Sequence, residues 1–511
     1  MTSMPQTDSD PTSDPAAGSP SDPAAGSPSG PTAGPGTAAR PSIRPPRPWL
    51  VVLVACAGQF LVVLDVSVMN VALPSMKADL DLSSLGLQWV LNAYAIAFAG
   101  FMLLGGRAAD LYGRKTMFLA GLGLFTAASV VGGIAPEGGW LIGARAAQGL
   151  GAAALSPATL TLVTAAVPAG AARTRAIGTW TAVGAAGGAA GGFVGGLLVD
   201  LLNWRWVLLV NVPVGILVLA AAALGLRESR TAAGRRLDLP GAVLVTGGLA
   251  TLAYGIVQTE MAGWTAPATL LPLLGGLALL ALFVAVEART AAPLVPLGIF
   301  RNRAVSAANV GIMLCGSSSF GMWFFMTVYA QNVLGYTPLQ AGLALVPSSL
   351  AVLVGSKTAP RLMALTGARA LALTGILVAA AGFAWQSTLT ADGTFLTTIL
   401  GPGILMMGGI GLATTPLATL ATSGAAPGDA GLVSGLVNTS RTMGGALGLA
   451  TLTTVAASTT PTPLALGTPA AVSLVPGYAM AFRVSTGVLL AAAVLMALWL
   501  PRAVHRTVQK G

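Results

Sequence analysis

The chain has 511 residues, of which 26 are Lys or Arg and 16 are Asp or Glu, so only 8% are charged, where an ordinary soluble domain carries roughly 25%. With 54% hydrophobic residues and a mean hydropathy of +0.79, its surface cannot hold a chain of this size in water. A soluble enzyme, a nucleic-acid-binding domain and a disulfide-built secreted domain are excluded, leaving an all-α polytopic membrane protein. The net charge of +10 takes its meaning from where the basic residues fall.

Residues 1–48 are rich in Pro, Gly, Ser and Ala, and the string Asp14-Pro15-Ala16-Ala17-Gly18-Ser19-Pro20 recurs from Asp22 to Pro28. Nothing in them can bury a core, so they read as a disordered tail. Their first charges are the acids Asp8, Asp10, Asp14 and Asp22, and no apolar stretch precedes Trp49, unlike a cleaved signal peptide. From Trp49 to Leu500, polar or Gly/Pro breaks divide the apolar sequence into fourteen segments, each near the length of about 20 residues needed to span a membrane. They start near residues 49, 87, 115, 139, 176, 206, 240, 268, 304, 338, 369, 396, 430 and 479.

An even number of spans puts both termini on one side. That terminal side collects Arg40, Arg44 and Arg47, then Arg107, Arg114 and Lys115, then Arg173 and Arg175. It also collects Arg227, Arg230, Arg235 and Arg236, then Arg289, Arg301 and Arg303, then Lys357, Arg361 and Arg369, and finally Arg502, Arg506 and Lys510. These are 21 of the 26 basic residues; Lys77, Arg205 and Arg483 fall on the opposite side, and Arg145 and Arg441 within spans. The positive-inside rule makes both termini cytoplasmic, and one helix more or fewer would destroy the asymmetry.

Ionisable groups inside spans are costly and are functional candidates by default. Asp65, in Leu64-Asp65-Val66-Ser67-Val68-Met69-Asn70, is the one acid deep in a span; there a carboxyl can load and release a proton as its access to water changes, or it can serve as a structural hydrogen-bonding group. Arg145 lies in span four, in Gly143-Ala144-Arg145-Ala146-Ala147-Gln148-Gly149. Counted from Pro74 and Gly139, the two differ in depth by only about 4 to 5 Å at 1.5 Å per residue, which allows a proton-coupling pair or a fixed ion pair. Arg441 in span thirteen has no acid near it in sequence and reads as structural.

Span five carries Gly184, Gly188, Gly192 and Gly196 at spacing four, with Gly187, Gly191 and Gly195 beside them. Such columns let another backbone approach closely, first as a packing device and second as a sliding or sealing surface for gating. In span nine Met322, Phe325, Met326 and Tyr329 share one helical face; a Met and aromatic stripe suits apolar substrates, although packing or lipid contact is the commoner use. Cys56 and Cys315 fall within spans and the sole His505 in the terminal tail. No metal site, cofactor site or His-based catalytic constellation is therefore expected, and the protein reads as no enzyme.

Together these motifs resemble the major facilitator superfamily, in its fourteen-span drug:proton antiporter branch, over residues 49–501. Leu64 to Pro74 is similar to the branch signature in the first helix. Gly106-Arg107-Ala108-Ala109-Asp110-Leu111-Tyr112-Gly113-Arg114-Lys115 resembles the superfamily's cytoplasmic gating loop, and Arg145, Gln148 and Gly149 its fourth-helix motif. Trp204-Arg205-Trp206 with Asn211-Val212-Pro213, and Tyr329, Gln331, Gly335, Pro338, Gln340 and Gly342, are further strings of the branch. One departure is Gly191-Gly192-Phe193-Val194-Gly195-Gly196, where the antiporter motif has Pro at the second position. Arg107 and Gly113 recur as Arg361 and Gly367, both 254 residues later, as in transporters built from repeats around a midplane site.

The resemblance implies a six-helix bundle over 49–230, two linking helices over 231–300, a second six-helix bundle over 301–501 and a cytoplasmic tail over 502–511. It also implies proton-coupled export of small, largely apolar drugs or antibiotics across the cytoplasmic membrane by alternating access, with the proton motive force in place of a cofactor. The expected partners are a small-molecule substrate, protons and the lipid bilayer, with no nucleic acid, and a monomer is expected to suffice. A single deep acid favours neutral, zwitterionic or monocationic compounds. The alternative is an exporter of an endogenous metabolite such as an amino acid, lipid precursor or siderophore.

Overall fold

The computed structural model describes residues 48–168, 171–228, 238–290, 293–422, 430–460 and 470–500. The expected disordered tail up to residue 47, the tail 502–511 with His505, and Arg230, Arg235 and Arg236 lie outside them. The N-terminal half contains α1 (Pro48–Asp79), α2 (Ser84–Tyr112), α3 (Arg114–Gly133), α4 (Gly138–Ala166), α5 (Ala171–Leu201), the short α6 (Trp206–Leu209) and α7 (Asn211–Gly225). Then come α8 (Leu239–Ala262), α9 (Pro267–Glu287), α10 (Arg303–Asn332), α11 (Pro338–Thr366), α12 (Ala368–Gln386), α13 (Gly401–Thr422), α14 (Ala430–Thr459) and α15 (Ala470–Trp499).

Among the described residues, thirteen helices are long and apolar enough to cross a membrane, with α6 and α7 joined as one. The remaining expected span is α14, diluted by Asn438, Thr439, Ser440, Arg441 and Thr442 but enclosed by α2, α8, α10 and α15. With α14 counted, fourteen long helical segments stand among the described residues, close to the expected ones. The chief boundary difference is α15, which begins at Ala470 instead of near 479, with Pro476 inside it. Just past the proline, Gly477 lies against the Ala456 carbonyl of α14, where a side chain would not fit. Arg483 consequently sits within the helix and not in a loop on the side away from the termini, exposed on a stripe with Leu490, Val494 and Leu498. A long basic side chain on such a stripe lays its stem on apolar surface and reaches outward for water.

Helices α1 to α7 pack on one another, chiefly α2 and α3 on α4 and α1 on α5; α10 to α15 do likewise, chiefly α12 on α13, α10 on α14 and α11 on α13. Helices α8 and α9 form a pair that leans on α2 and α14 through α8, while α9 turns Leu271, Leu274 and Leu277 outward. The two sets meet where α2 packs on α14 and α5 on α11.

The glycine columns of α5 serve both levels of packing. A Cβ on Gly191 would strike Ser67, and one on Gly195 would come within 2.9 Å of the Val68 carbonyl of α1. A Cβ on Gly196 would be 2.5 Å from Leu339 Cα, and one on Gly342 would collide with the Gly192 carbonyl. One column holds α5 to its own set, and the other lets it lie on α11 of the opposite set. At Gly192, where the antiporter motif carries Pro, α5 runs on unbroken.

This crossing lies toward the end away from the termini. At that end Asp200 accepts a hydrogen bond from Leu339 N at 3.2 Å, and Gln331 Nε2 donates to the Val71 carbonyl at 2.9 Å. Replacing Gly342 by Leu should prise α5 from α11. We expect a cysteine placed at Thr327 to react with a membrane-impermeant maleimide at least several-fold faster in Gly342→Leu than in the Gly342 background.

Candidate functional site

Asp65 lies on the face of α1 that looks into the N-terminal set and is fully buried. Four helices supply its surroundings. Arg145 of α4 places Nη1 2.6 Å from Asp65 Oδ2. The other oxygen, Oδ1, accepts from Asn211 Nδ2 of α7 at 2.9 Å and from Gln148 Nε2 of α4 at 3.2 Å. Gln148 Nε2 also donates to Ser129 Oγ of α3 at 2.7 Å, and Ser129 Oγ donates to the Phe125 carbonyl at 2.8 Å. Arg145 Nη1 further reaches Gln148 Oε1 at 2.8 Å, and its Nε reaches the Val90 carbonyl of α2 at 3.2 Å. The guanidinium stacks over the Tyr94 ring, 4.4 Å from its centroid.

Helix geometry explains how these groups converge. Arg145 and Gln148, three apart on α4, share a face, as neighbours one turn apart do. Asn211 reaches Asp65 because α6 ends at Leu209 and α7 restarts at Asn211; Pro213 has no N–H to give the Leu209 carbonyl, which loosens the helix there. Asp65 and Arg145, whose similar depths allow a pair, are in direct contact. Gln148 and Asn211 figured in the sequence only as parts of resemblance strings, and Ser129 and Tyr94 not at all. A polar residue interrupting an otherwise apolar run was the available signal for Asn211 and Ser129.

The Met and aromatic stripe of α10 lies in the interior. Met322, Phe325, Met326 and Tyr329 are all buried in the core of the C-terminal set. Phe325 packs against Tyr478 and Phe482 with centroid distances of 5.6 and 6.1 Å, and Tyr329 donates to the Thr390 carbonyl at 2.7 Å. In this structure the stripe is a packing face, and the opposite side of α10 meets the boundary between the sets. There Trp323 and Thr327, with Ser67 and Asn70 of α1, Gly192 of α5 and Ser349 of α11, line a narrow cavity of about 10 Å³, no larger than a water molecule needs. Its polar lining is uncharged.

In the loop motif, Gly106 faces Pro157 of α4, and Gly113 joins α2 to α3 with φ +109°, a conformation suited to glycine. Gly367, its counterpart between α11 and α12, has φ +82°. Lys115 N and Thr116 N, at the start of α3, donate to the Glu228 carboxylate at 3.2 and 3.0 Å. In return Lys115 Nζ donates to the Ala223 and Leu226 carbonyls at the end of α7 at 2.6 and 2.8 Å. An acid thus caps the helix start and a base the neighbouring helix end, each with the favourable dipole sign. The described residues include the backbone of Asp110 but not its side chain; Arg114 Nε is buried beside this turn.

A membrane-spanning bundle of two helix sets, with an acid and a base buried together in one of them, is the architecture of a secondary transporter. The chain belongs to the Major Facilitator Superfamily, whose family model matches residues 55–449. It is 48% identical over 412 residues to the cephamycin export protein CmcT of Amycolatopsis lactamdurans, covering 80% of this chain and 85% of that one. It is 41% identical over 457 residues to the puromycin resistance protein pur8 of Streptomyces alboniger, covering 88% and 91%. Among solved structures, the POT family transporter PepTSo has the same fold, with a TM-score of 0.65 at 15% identity, covering 89% of this chain and 98% of that one. A bacterial homologue of the lysosomal transporter Spinster, solved in an inward-facing, unoccupied conformation, has a TM-score of 0.63 at 18% identity, covering 88% and 96%. The protein is a multi-pass membrane transporter of small molecules and no enzyme.

Removing one partner of a buried ion pair strands the other charge. Arg145→Ala should therefore destabilise the protein by about 3–5 kcal/mol, and Arg145→Ala with Asp65→Ala should recover part of that loss. Thermal unfolding of the detergent-purified variants measures both, and simple additivity of the two single substitutions would contradict the coupling.

Proposed function

We propose that the protein is a proton-coupled antiporter that exports small, largely apolar drugs or antibiotics across the cytoplasmic membrane by alternating access, with both termini cytoplasmic. The observation that carries this reading is the Asp65–Arg145 pair, a protonatable group buried two residues from Ser67 at the boundary between the sets. Facing out, Asp65 takes a proton as substrate leaves; facing in, it gives the proton up and substrate binds. Relatives named for cephamycin export and puromycin resistance support antibiotics as the substrate class, and the 21 basic residues of the terminal side support the orientation.

The network suits both protonation states. With Asp65 ionised, its two oxygens accept from Arg145, Asn211 and Gln148. With Asp65 protonated, Arg145 keeps the Gln148 and Val90 acceptors and the Tyr94 ring. The new O–H needs an acceptor, and Asn211 Oδ1, buried with no partner here, provides one once the amide turns. The driving force is sufficient: about 2.3 kcal/mol per charge at 100 mV and about 1.4 kcal/mol per pH unit exceed the roughly 2.7 kcal/mol of a hundredfold gradient of neutral substrate. No cofactor enters this scheme, and one chain holds every group it uses.

Substrate-driven proton release from everted vesicles tests the assignment. Asp65→Asn should reduce coupled export at least tenfold and abolish resistance in an efflux-deficient host, while the purified variant still binds substrate. Full proton-coupled export by Asp65→Asn would falsify the role given to Asp65. Export without any gain of resistance would point instead to an endogenous metabolite.

A further inference from the structure

Among the described residues, Arg441 is the one basic residue at membrane depth that neither the ion-pair network nor the outer surface accounts for. It lies 11 residues into the 30-residue α14, about 17 Å from the helix start at 1.5 Å per residue. Between Gly435 and Ala457 it is the single exposed residue of the helix. That exposure does not face lipid, because α14 is flanked by α2, α8, α10, α13 and α15. The side chain therefore opens into space inside the protein. Its backbone touches Gly316 of α10, and on the same helix Trp323 and Thr327 line the cavity between the two sets.

Three comparisons within the molecule separate Arg441 from a structural arginine. Arg145 is sealed and satisfied by a carboxylate, an amide and a carbonyl. Arg369 donates to the Ala497 carbonyl. Arg483 lies on an exposed apolar stripe. Arg441, by contrast, has a 3.4 Å contact from Nη2 to Asn438 Oδ1, one turn away on its own helix, as its hydrogen bond. The ion pairs among the described residues are Asp65–Arg145 and Asp79–Arg205, and neither involves it. A guanidinium at this depth carries an insertion cost and offers a fork of donors matched to a carboxylate.

We propose that Arg441 is the anion-recognising residue of the substrate cleft, and that the exported compounds include ones with a carboxylate that pairs with it. This rests on the export reading above and adds monoanions to the neutral, zwitterionic and monocationic compounds that a single deep acid favours. Between the two sets, the groups nearest this part of α10 are uncharged hydroxyls, an amide and an indole, so they offer no second charge to compete for the carboxylate. Exchange of a monoanion for one entering proton also moves two charges down the membrane potential, so export of the acid should respond to an imposed potential more steeply than export of its neutral ester.

The test is calorimetric binding to the purified full-length protein of cefoxitin, benzylpenicillin and fusidic acid, each with its methyl ester. At least one acid should bind about 10- to 100-fold more tightly than its ester, the range of a charge-assisted hydrogen-bonded pair. Arg441→Gln should erase that difference while leaving the ester's Kd within twofold, which also shows that the variant is folded. Arg441→Lys should restore part of it. If no acid binds more tightly than its ester, or if Arg441→Gln weakens acid and ester alike, the proposal is overturned. An acid that binds through Arg441 but shows no proton-driven flux in vesicles would overturn the export reading and leave the recognition role standing.

Discussion

A buried carboxylate can persist inside a membrane protein only if its charge is answered at contact distance, and much of the N-terminal set is arranged around that requirement. Asp65 on α1 is answered by Arg145 and Gln148 on α4 and by Asn211 on α7, and Gln148 is steadied in turn by Ser129 on α3. Arg145 is held by the Val90 carbonyl and the Tyr94 ring of α2. Five helices thus contribute to one constellation. The pair adds little net stability over an apolar packing of the same volume, since desolvation offsets most of the attraction. It does penalise any arrangement in which one helix is displaced, because a stranded charge has no water to turn to.

Contacts between the two sets are of another kind. They are backbone against backbone at the α5–α11 crossing, with Asp200 on Leu339 N and Gln331 on the Val71 carbonyl at the end away from the termini. Glycine surfaces of this sort pack closely without interlocking side chains. A set stiffened internally by a charge network and joined to its neighbour by smooth surfaces can move as a unit.

The strings that resembled the drug:proton antiporter branch acquire separate physical duties. Asn211 holds Asp65, whereas Trp204 and Arg205 both bind Asp79 at the end of α1. Gln340 completes a capping box with Thr337 at the start of α11, Pro338 occupies its first turn, and Gly342 permits the approach of Gly192. Gly113 and Gly367 adopt the positive φ that their matching turns need. The 254-residue echo is therefore an echo of backbone conformation.

Composition and spacing alone determined the number of spans, their alternation and the depth of Asp65 relative to Arg145. These follow from quantities local to a helix: its rise per residue, the thickness of a bilayer and the cost of a charge in lipid. What only the tertiary structure decided is which side of each helix meets which neighbour. The periodicity of Met322, Phe325, Met326 and Tyr329 defines a face but not its partner, and that partner proved to be Phe482 and Tyr478, with Trp323 and Thr327 turned to the boundary instead. The same holds for Arg441, whose exposure inside the bundle depends on five surrounding helices. A helix carries its own length and depth in its residues, but its rotation about its axis is settled by the helices packed around it.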